Sequence, residues 1–379
     1  MWDAVACGEL PCEHDAYQKV FQLDRARRAA AMDGYDIVML DEAHDCSAAQ
    51  IDIVVDVRGS TIIVFDGHQR IYGFRRAVGL DVLRGLAARA VASRRLTQTW
   101  RYGEPLASIA EALVRQLGGD ARFSIAHNPQ QRTNVVLAAR GPPFAEVCGI
   151  GHQLVLIARQ NHTLFEAAIG ALASGHVRRI YTRPFETVGG PEALLDVYTL
   201  SIGGSASVMH DRHGLAARCA TSGGGYALYR RLALRDNEAE QKVAAWDACR
   251  FIDRYGLALP SIVARLRSAL TAELAEADAA FFTTHRAKGL GWPYTYICSD
   301  FMTSGLAPSR ARATAERAST VPLVLFSRGE PLWRHVFSLL HRSLPEEVNL
   351  LYVALTRAVS MVCIARPVAL WLAEAGVLL

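Results

Sequence analysis

Residues 35–50, with the sequence YDIVMLDEAHDCSAAQ, change abruptly from apolar to acidic side chains. The apolar run at 37–40 is typical of a short buried strand, and Asp41 and Glu42 follow it directly. Two carboxylates at the carboxyl end of such a strand are typical of triphosphate sites, in which one binds Mg²⁺ and the other polarises the attacking water. The segment therefore predicts half of such a site, although a strand that ends in a polar turn is the plainer alternative.

The composition is that of a globular protein. The chain has 379 residues, of which 51% are hydrophobic and 21% charged, and this length predicts two domains. The net charge of +4 permits nucleic-acid binding without arguing for it. The eight cysteines form no CxxC pair, which indicates reduced thiols in an intracellular protein and not a zinc site. Neither a signal peptide nor a run of about eighteen apolar residues is present, so no membrane partner is expected.

Alternating strand and helix patterns predict an α/β fold with a parallel sheet wrapped by helices. A second short strand is predicted at 61–65, where the sequence TIIVF is followed by Asp66. The Gly- and Ser-rich region at 196–235 lacks periodicity and predicts loops or a reduced inserted subdomain. The other patterns predict strands at 153–159 and 294–301 and helices at 106–117, 163–174, 238–255, 261–277, 331–342 and 346–358.

The segment STIIVFDGHQRIYGFRRA, residues 60–77, carries a second group of candidate residues. Gln69 is suited to hydrogen-bond a terminal phosphate. Tyr72 and Phe74, together with Arg75, offer a platform on which nucleobases stack, because every base has an aromatic face. The alternative for the two aromatic residues is that they belong to the core.

Three further segments contain isolated polar or aromatic candidates. Trp100 and Arg101 lie side by side in LTQTWRYG (96–103), Thr284 and His285 lie in a polar turn of FFTTHRAKGLGW (281–292), and Arg357 lies in LLYVALTRA (350–358). Taken one at a time, such residues are commonly solvated or paired within the structure. Their order along the chain gives the stronger argument.

Together the five segments resemble motifs II, III, IV, V and VI of the UvrD-like superfamily 1 DNA helicases, and in particular the F-box DNA helicase subfamily. In that subfamily DEAQD, GD-x-x-Q-x-IYxFRGA, TQSFRFG, THKAKGLEW and LLYVALTRA recur in this order. The segment HDAYQKVFQL (14–23) also resembles the HD-x-Y-x-K segment of that subfamily. The resemblance covers nearly the whole chain, and LLYVALTRA and IYGFR are its most specific parts.

The resemblance implies two RecA-like parallel-sheet domains of the P-loop NTPase helicase fold, with ATP between them and single-stranded DNA across the top. The first domain, truncated at its N-terminus, would occupy 1–95. The second would begin at 96–195 and continue at 261–379, with a reduced inserted subdomain or loops at 196–260. The implied activity is that of an ATP-dependent helicase that moves 3′ to 5′ along single-stranded DNA in repair or recombination, in the nucleus of a eukaryote or otherwise in the cytoplasm.

The resemblance also implies a role for each candidate residue, and ATP and Mg²⁺ as cofactors. On the nucleotide side, Asp41 would coordinate Mg²⁺ and Glu42 would be the catalytic base. Gln69 would couple the γ-phosphate to DNA, and Trp100 would stack on adenine. Arg101 and Arg357 would bind the γ-phosphate. On the DNA side, the contact residues would be Tyr72, Phe74, Arg75, Thr284 and His285. A ubiquitin-ligase adaptor is an expected partner only for a form of the protein that carries an F-box.

The chain departs from the family pattern at several motif positions. His44 replaces the Gln of DEAQD, Phe65 and Arg76 replace glycines of motif III, and Gly291 stands where the family uses Glu to hold the ATP ribose. The loss of one such contact weakens binding by roughly 1–3 kcal/mol where the partner group is left unpaired.

The larger departure concerns the phosphate-binding loop G-x-x-x-x-G-K-[ST], whose backbone N–H groups and Lys cradle the phosphates. The three lysines are Lys19, Lys242 and Lys288, and none follows a glycine. Two explanations are open: a truncated product that lacks roughly its first 100 residues by family analogy, or a short paralogue that cannot hydrolyse ATP. The retained carboxylates and arginines favour the first, and Gly291 and Phe65 favour the second. In either case we expect the polypeptide alone to be inactive.

Two other functions compete with this interpretation. The DEAH sequence suggests a superfamily 2 RNA helicase, but that group needs a Ser-Ala-Thr motif and a late Gln-x-x-Gly-Arg-x-Gly-Arg motif, and both are absent from the sequence. The second alternative is a non-catalytic single-stranded DNA-binding or scaffold module derived from a helicase. A degenerate product that does not fold stably is a third possibility.

Overall fold

The structure is a computed structural model that describes residues 14–73, 77–116, 119–182, 190–204, 215–235, 240–302 and 345–378. Phe74 and Arg75, the helix expected at 331–342 and Arg76 therefore lie outside the described residues. The chain divides into two compact units, Met1–Thr97 and Gln98–Leu379, and each is presented by itself.

In its described residues, the first unit contains a parallel two-stranded sheet and four α-helices. Its helices are α1 (His14–Leu23), α2 (Arg25–Met32), α3 (Ala48–Val55) and α4 (Leu80–Arg89), and its strands are β1 (Ile37–Leu40) and β2 (Ser60–Ile63). The two predicted strands form, but the prediction that they are buried is wrong, because the residues of each strand alternate between exposed and half-buried. Leu40 and Ile63, on one face of the pair, pack against a small core that includes Ile51 and Leu83.

Helix α3 begins at a local signal that the sequence itself provides. The Ser47 hydroxyl accepts the backbone N–H of Gln50 at 3.4 Å, and the Gln50 side chain accepts the backbone N–H of Ser47 at 2.7 Å. This reciprocal capping satisfies two N–H groups that have no partner inside the helix. It fixes where the chain turns after the acidic segment that follows β1.

The second unit is built on a seven-stranded sheet in which every pairing is parallel. The strand order is β3-β4-β9-β8-β5-β7-β6. The strands are β3 (Glu104–Pro105), β4 (Arg132–Ala138), β5 (Leu154–Ala158), β6 (Ile180–Thr182), β7 (Ala279–Thr283), β8 (Trp292–Ile297) and β9 (Ala358–Ala365). The predicted α/β fold with a parallel sheet is thus confirmed. All five residues of β5 are buried, as expected for a strand covered on both faces.

Helices cover this sheet and continue through the middle of the chain. They are α5 (Leu106–Gln116), α6 (Phe144–Val147), α7 (Asn161–Ala173), α8 (Gly190–Ser201), α9 (Leu215–Thr221), α10 (Gly225–Arg235), α11 (Glu240–Tyr255), α12 (Leu259–Ala269), α13 (Thr284–Ala287), α14 (Pro345–Leu355) and α15 (Arg366–Glu374). Among the described helices, none combines the length and the apolarity required to cross a bilayer.

The expectation of loops at 196–235 is wrong for the described parts of that region. They form α8, α9 and α10, and buried residues such as Val197 and Tyr229 join the main core of the second unit. Of the described glycines in this region, Gly203, Gly204, Gly223 and Gly224 lie between the helices, and Gly225 begins α10. Gly203 has a φ of 78° directly after α8, and such a left-handed residue ends a helix at little cost only when it is glycine. The other alternative, an inserted subdomain, and the proposed domain boundaries stay predictions.

We predict that the interior of the parallel sheet sets the stability of the second unit. Leu156 of β5 is fully buried and pairs with Phe281 of β7, whereas Leu257 is 84% exposed. Leu156→Ala should lower the free energy of unfolding by about 2–5 kcal/mol, because it removes buried apolar contacts and leaves a cavity. The matched control Leu257→Ala should change it by less than about 0.5 kcal/mol. Urea unfolding followed by circular dichroism measures both, and equal effects would contradict the assigned core.

Candidate functional site

The first part of the candidate site is the acidic turn at the end of β1. Asp41 follows the strand, and its carboxylate accepts the backbone N–H of Glu42 at 2.8 Å. Glu42 has φ 54° and ψ 35° and is the one non-glycine residue with positive φ among the described residues. A left-handed residue of this kind costs about 1–3 kcal/mol and is concentrated at functional sites. The bend leaves the Glu42 side chain 53% exposed.

His44 lies under this turn and is only 1% exposed. Its Nδ1 accepts the backbone N–H of Asp66, which follows β2, at 3.0 Å. Because a backbone N–H can only donate, Nδ1 carries no proton, and the neutral ring must carry its proton on Nε2. That Nε2 lies 2.9 Å from a carboxylate oxygen of Glu42 and 3.8 Å from one of Asp45.

The protonation of His44 bears on metal binding at this turn. One ligand atom each from Glu42, His44 and Asp45 lie within 4.8 Å of one another, but a protonated Nε2 has no lone pair for a metal ion. Asp41 is the better candidate, since Mg²⁺ in nucleotide sites is held by one or two carboxylates together with water and phosphate oxygens. One Asp41 oxygen accepts the Glu42 N–H, and the carboxylate remains chemically suited to Mg²⁺ through its other oxygen.

The turn after β2 holds Gln69 through Asp66. The Asp66 carboxylate accepts the backbone N–H of His68 at 2.9 Å and the side-chain amide of Gln69 at 2.9 Å. Tyr72 follows the fully buried Ile71 and is itself half-buried. The described structure therefore brings Glu42, His44 and Gln69 together at the carboxyl ends of the paired strands.

The second part of the candidate site, in the second unit, joins three segments that are far apart in the sequence. Arg101 donates from Nη1 to the carbonyl oxygen of Thr356 at 3.2 Å, across 255 residues. Arg357 is 2% exposed and donates to the carbonyl oxygens of Val353 at 2.8 Å and Leu290 at 3.2 Å. Its other terminal nitrogen lies 3.2 Å from the Thr356 hydroxyl. The two predicted arginines thus lie together around Thr356, a residue that the sequence analysis did not single out although it belongs to the same motif.

Gly291 is part of the same arginine cluster. A Cβ atom added at this position would lie 3.2 Å from Nε and 3.3 Å from Cδ of Arg101, and 3.5 Å from the carbonyl oxygen of Arg357. The first two distances are shorter than ordinary van der Waals contact. A side chain at position 291 would therefore require Arg101 to move by a few tenths of an ångström.

Trp100 precedes Arg101 and is 69% exposed. Its carbonyl oxygen accepts the Asn128 side-chain amide at 2.9 Å, which holds the backbone of this segment. On the other side of Arg101, Tyr102 is buried, and burial raises the pKa of its hydroxyl, which also hydrogen-bonds the Tyr352 side chain. The Trp100 indole is thus exposed at the surface, while the Asn128 hydrogen bond and the buried Tyr102 hold the backbone on which it lies.

The predicted DNA contacts of the second unit lie where β7 ends. Thr284 is fully buried, and its hydroxyl donates to the carbonyl oxygen of Ala158 at 3.4 Å. Its backbone carbonyl also accepts the N–H of Lys288 at 3.1 Å. The Thr284 side chain therefore anchors this turn from inside the protein. His285 is half-buried and has a partly accessible side chain.

A buried carboxylate and an ion pair hold the carboxyl ends of β5 and β8, and sequence reasoning missed both. Asp300, which follows β8, accepts the backbone N–H groups of Arg159 at 3.0 Å and Gln160 at 2.8 Å. Burial raises the pKa of Asp300, and these hydrogen bonds oppose that rise. The Arg159 guanidinium binds Glu347 of α14 through three contacts of 3.0–3.2 Å. These contacts position α14, the helix that leads into Arg357.

Comparisons with known proteins agree with this arrangement. Residues 262–366 match the UvrD-like helicase C-terminal domain family. Over 374 residues the chain is 26% identical to F-box DNA helicase 1 of Gallus gallus, a match that covers 96% of this chain and 32% of that protein. A shorter match, 28% identical over 119 residues, relates 31% of this chain to 13% of F-box DNA helicase protein 1 of Schizosaccharomyces pombe (strain 972 / ATCC 24843).

The chain thus spans about a third of the length of the chicken relative. The match to the C-terminal domain family includes Thr284, Gly291 and Arg357 and so contains motifs V and VI. The resemblance that the five motifs predicted is confirmed: this chain is similar to the UvrD-like helicases and to the F-box DNA helicases among them.

Proposed function

We propose that this chain carries the motor elements of a UvrD-type helicase that moves 3′ to 5′ along single-stranded DNA during repair or recombination. The observation that carries the proposal is the arginine cluster of the second unit. Motifs IV, V and VI, which are distant in sequence, supply Arg101, Gly291 and Arg357 to one place through direct contacts. The proposal is supported by this cluster because two neighbouring guanidinium groups can bind an anionic ligand such as a phosphate.

In this proposal Asp41 would hold Mg²⁺, Glu42 would serve as the base for the attacking water, and Gln69 would contact the γ-phosphate, provided that other polypeptide supplies the phosphate cradle. Arg101 directs one of its five N–H donors at Thr356 and keeps the capacity to bind an anionic oxygen with the others. Trp100, exposed on the surface, is available to stack on adenine. Arg357, which is buried and bound to carbonyl oxygens, must exchange or share these bonds to reach a phosphate.

The residues of this chain do not by themselves fit a nucleoside triphosphate. Its phosphates need a cradle of backbone N–H groups and a Lys, and the 379 residues contain no Gly-Lys dipeptide. We derive no hydrolytic step from these residues alone. The cradle must come from polypeptide outside them, and without it the chain should hydrolyse no ATP.

A second candidate function is a non-catalytic module that binds single-stranded DNA or acts as a scaffold. Position 291 favours it, because the chain lacks the Glu that would hold the ribose, and a side chain there would require Arg101 to shift. Both candidates use Tyr72 and His285 on DNA, together with Phe74 and Arg75, which lie outside the described residues. Both also suit a nuclear protein, and an adaptor of a ubiquitin ligase is a partner only for a form that carries an F-box.

We predict that purified 1–379 releases no phosphate from ATP in the presence of Mg²⁺, with or without single-stranded DNA. The physical reason is that no cradle in the chain positions the γ-phosphate for attack. The matched control is Glu42→Gln, which keeps the shape of the side chain and removes the base. Equal background release from both proteins is the expected result of a phosphate-release assay. DNA-stimulated turnover that Glu42→Gln abolishes would contradict the prediction.

We also predict that Tyr72→Ala weakens binding to a labelled single-stranded oligonucleotide. The loss of one stacked base should cost about 1–3 kcal/mol, or roughly 5- to 150-fold in affinity. Fluorescence anisotropy at low salt measures this, since such binding falls as salt rises. Tyr35, 63% exposed in the same unit, supplies the control Tyr35→Ala, which should bind as the wild type does. If both variants bind equally well, Tyr72 has no role on DNA.

A further inference from the structure

A series of hydrogen bonds through His44 and Asp66 connects Glu42, the predicted catalytic base, with Gln69, the predicted contact of the γ-phosphate. It runs from the Glu42 carboxylate to His44 Nε2 at 2.9 Å, and from His44 Nδ1 to the backbone N–H of Asp66 at 3.0 Å. It continues from the Asp66 carboxylate to the side-chain amide of Gln69 at 2.9 Å. The series lies wholly within the first unit and crosses from the end of β1 to the turn after β2.

Each member of the series has one possible hydrogen-bonding direction. The Asp66 backbone N–H can only donate, so His44 must accept at Nδ1 and donate from Nε2. The ionised carboxylates of Glu42 and Asp66 can only accept, which suits the Nε2–H and the Gln69 amide group. The arrangement therefore needs a side chain at position 44 that donates at one end and accepts at the other.

Because the His44 side chain is buried, it can restrain the exposed side chain of Glu42. The His44 side chain is 1% exposed, whereas the Glu42 side chain is 53% exposed. A long, exposed Glu samples many rotamers unless something holds it. A hydrogen bond to a charged acceptor is stronger than a neutral one, and Nε2–H supplies one at the base of the exposed carboxylate.

We propose that His44 is a positioning residue, which orients the Glu42 carboxylate and transmits the position of Gln69 to it through Asp66. This inference deepens the proposed function and rests on the roles of Glu42 and Gln69 given there. A displacement of the Gln69 side chain would change its bond to Asp66, and this change would reach Glu42 through the His44 ring. His44 itself touches neither phosphate nor water in this scheme.

The proposal explains why His is acceptable where the related sequences have Gln. A Gln side chain also accepts at its oxygen and donates at its nitrogen, so it can link the same two groups. Leu fills similar space but can do neither. His44→Gln should therefore preserve the order of the Glu42 carboxylate, and His44→Leu should release it.

The test uses NMR of the 379-residue chain, isotopically labelled at His, Glu and Gln, without nucleotide or DNA. The His44 signal is identified by its loss in His44→Gln. We expect a neutral ring protonated at Nε2, and exchange of that proton with water that accelerates roughly tenfold or more in Glu42→Ala, as the loss of a charge-assisted hydrogen bond implies. The Glu42 side chain should be ordered in the wild type and in His44→Gln and mobile in His44→Leu.

The coupling to Gln69 has its own measurement and control. Gln69→Ala should shift the His44 ring signals, and Gln18→Ala, a change on α1 of the same unit, should leave them in place. Four results would overturn the proposal. In the wild type, this result is a His44 ring protonated at Nδ1. In the variants, the results are an unchanged exchange rate of the His44 ring proton in Glu42→Ala, equal mobility of Glu42 in the two His44 variants, or unchanged His44 ring signals in Gln69→Ala. Should His44→Leu not fold, the Glu42→Ala and Gln69→Ala measurements decide. These outcomes are independent of the ATPase and DNA-binding assays, so either proposal can fail without the other.

Discussion

The common direction of the seven strands is the constraint on which the second unit depends. In a sheet whose strands all run the same way, residues that precede strands gather at one edge and residues that follow strands gather at the other. Arg101 lies shortly before β3, and Gly291 and Arg357 lie immediately before β8 and β9. These strands belong to the neighbouring set β3-β4-β9-β8. The arginine cluster at the amino edge is therefore a consequence of strand direction and strand order.

The opposite edge of the same sheet carries different chemistry. Arg159, Thr284 and Asp300 follow β5, β7 and β8, and their polar groups bind neighbouring backbone or Glu347. Ligands of open α/β sheets commonly bind at carboxyl ends, and Asp41 of the first unit follows that rule, whereas the two arginines do not. The sheet of the second unit thus separates the residues proposed for nucleotide from the turn proposed for DNA.

Two departures from the family motifs have a structural explanation. Gly291 allows Arg101 to lie against it, because a side chain at this position would require Arg101 to shift. His44 keeps the donor and acceptor pattern of the Gln that it replaces, and it satisfies a backbone N–H that would otherwise be left without that partner. Phe65 joins the partly buried residues around the small core of the first unit. The structure gives no account of Arg76, which lies outside the described residues.

The sequence by itself determined the α/β class, the parallel sheet and the identity of the motifs, because buried strands and their polar ends are local patterns. It also predicted Asp41, Glu42, Arg101 and Arg357 as site residues, since the order of the motifs along the chain is readable. It missed β4, β6 and β9, and it mistook α8–α10 for loops, because short strands and glycine-bounded helices have weak periodicity. Only the tertiary structure decided that Arg101 meets Thr356, that Thr284 is buried, and that His44 joins Glu42 to Asp66. Those contacts connect residues distant along the chain, and their geometry is set by strand order and packing, which no local pattern encodes.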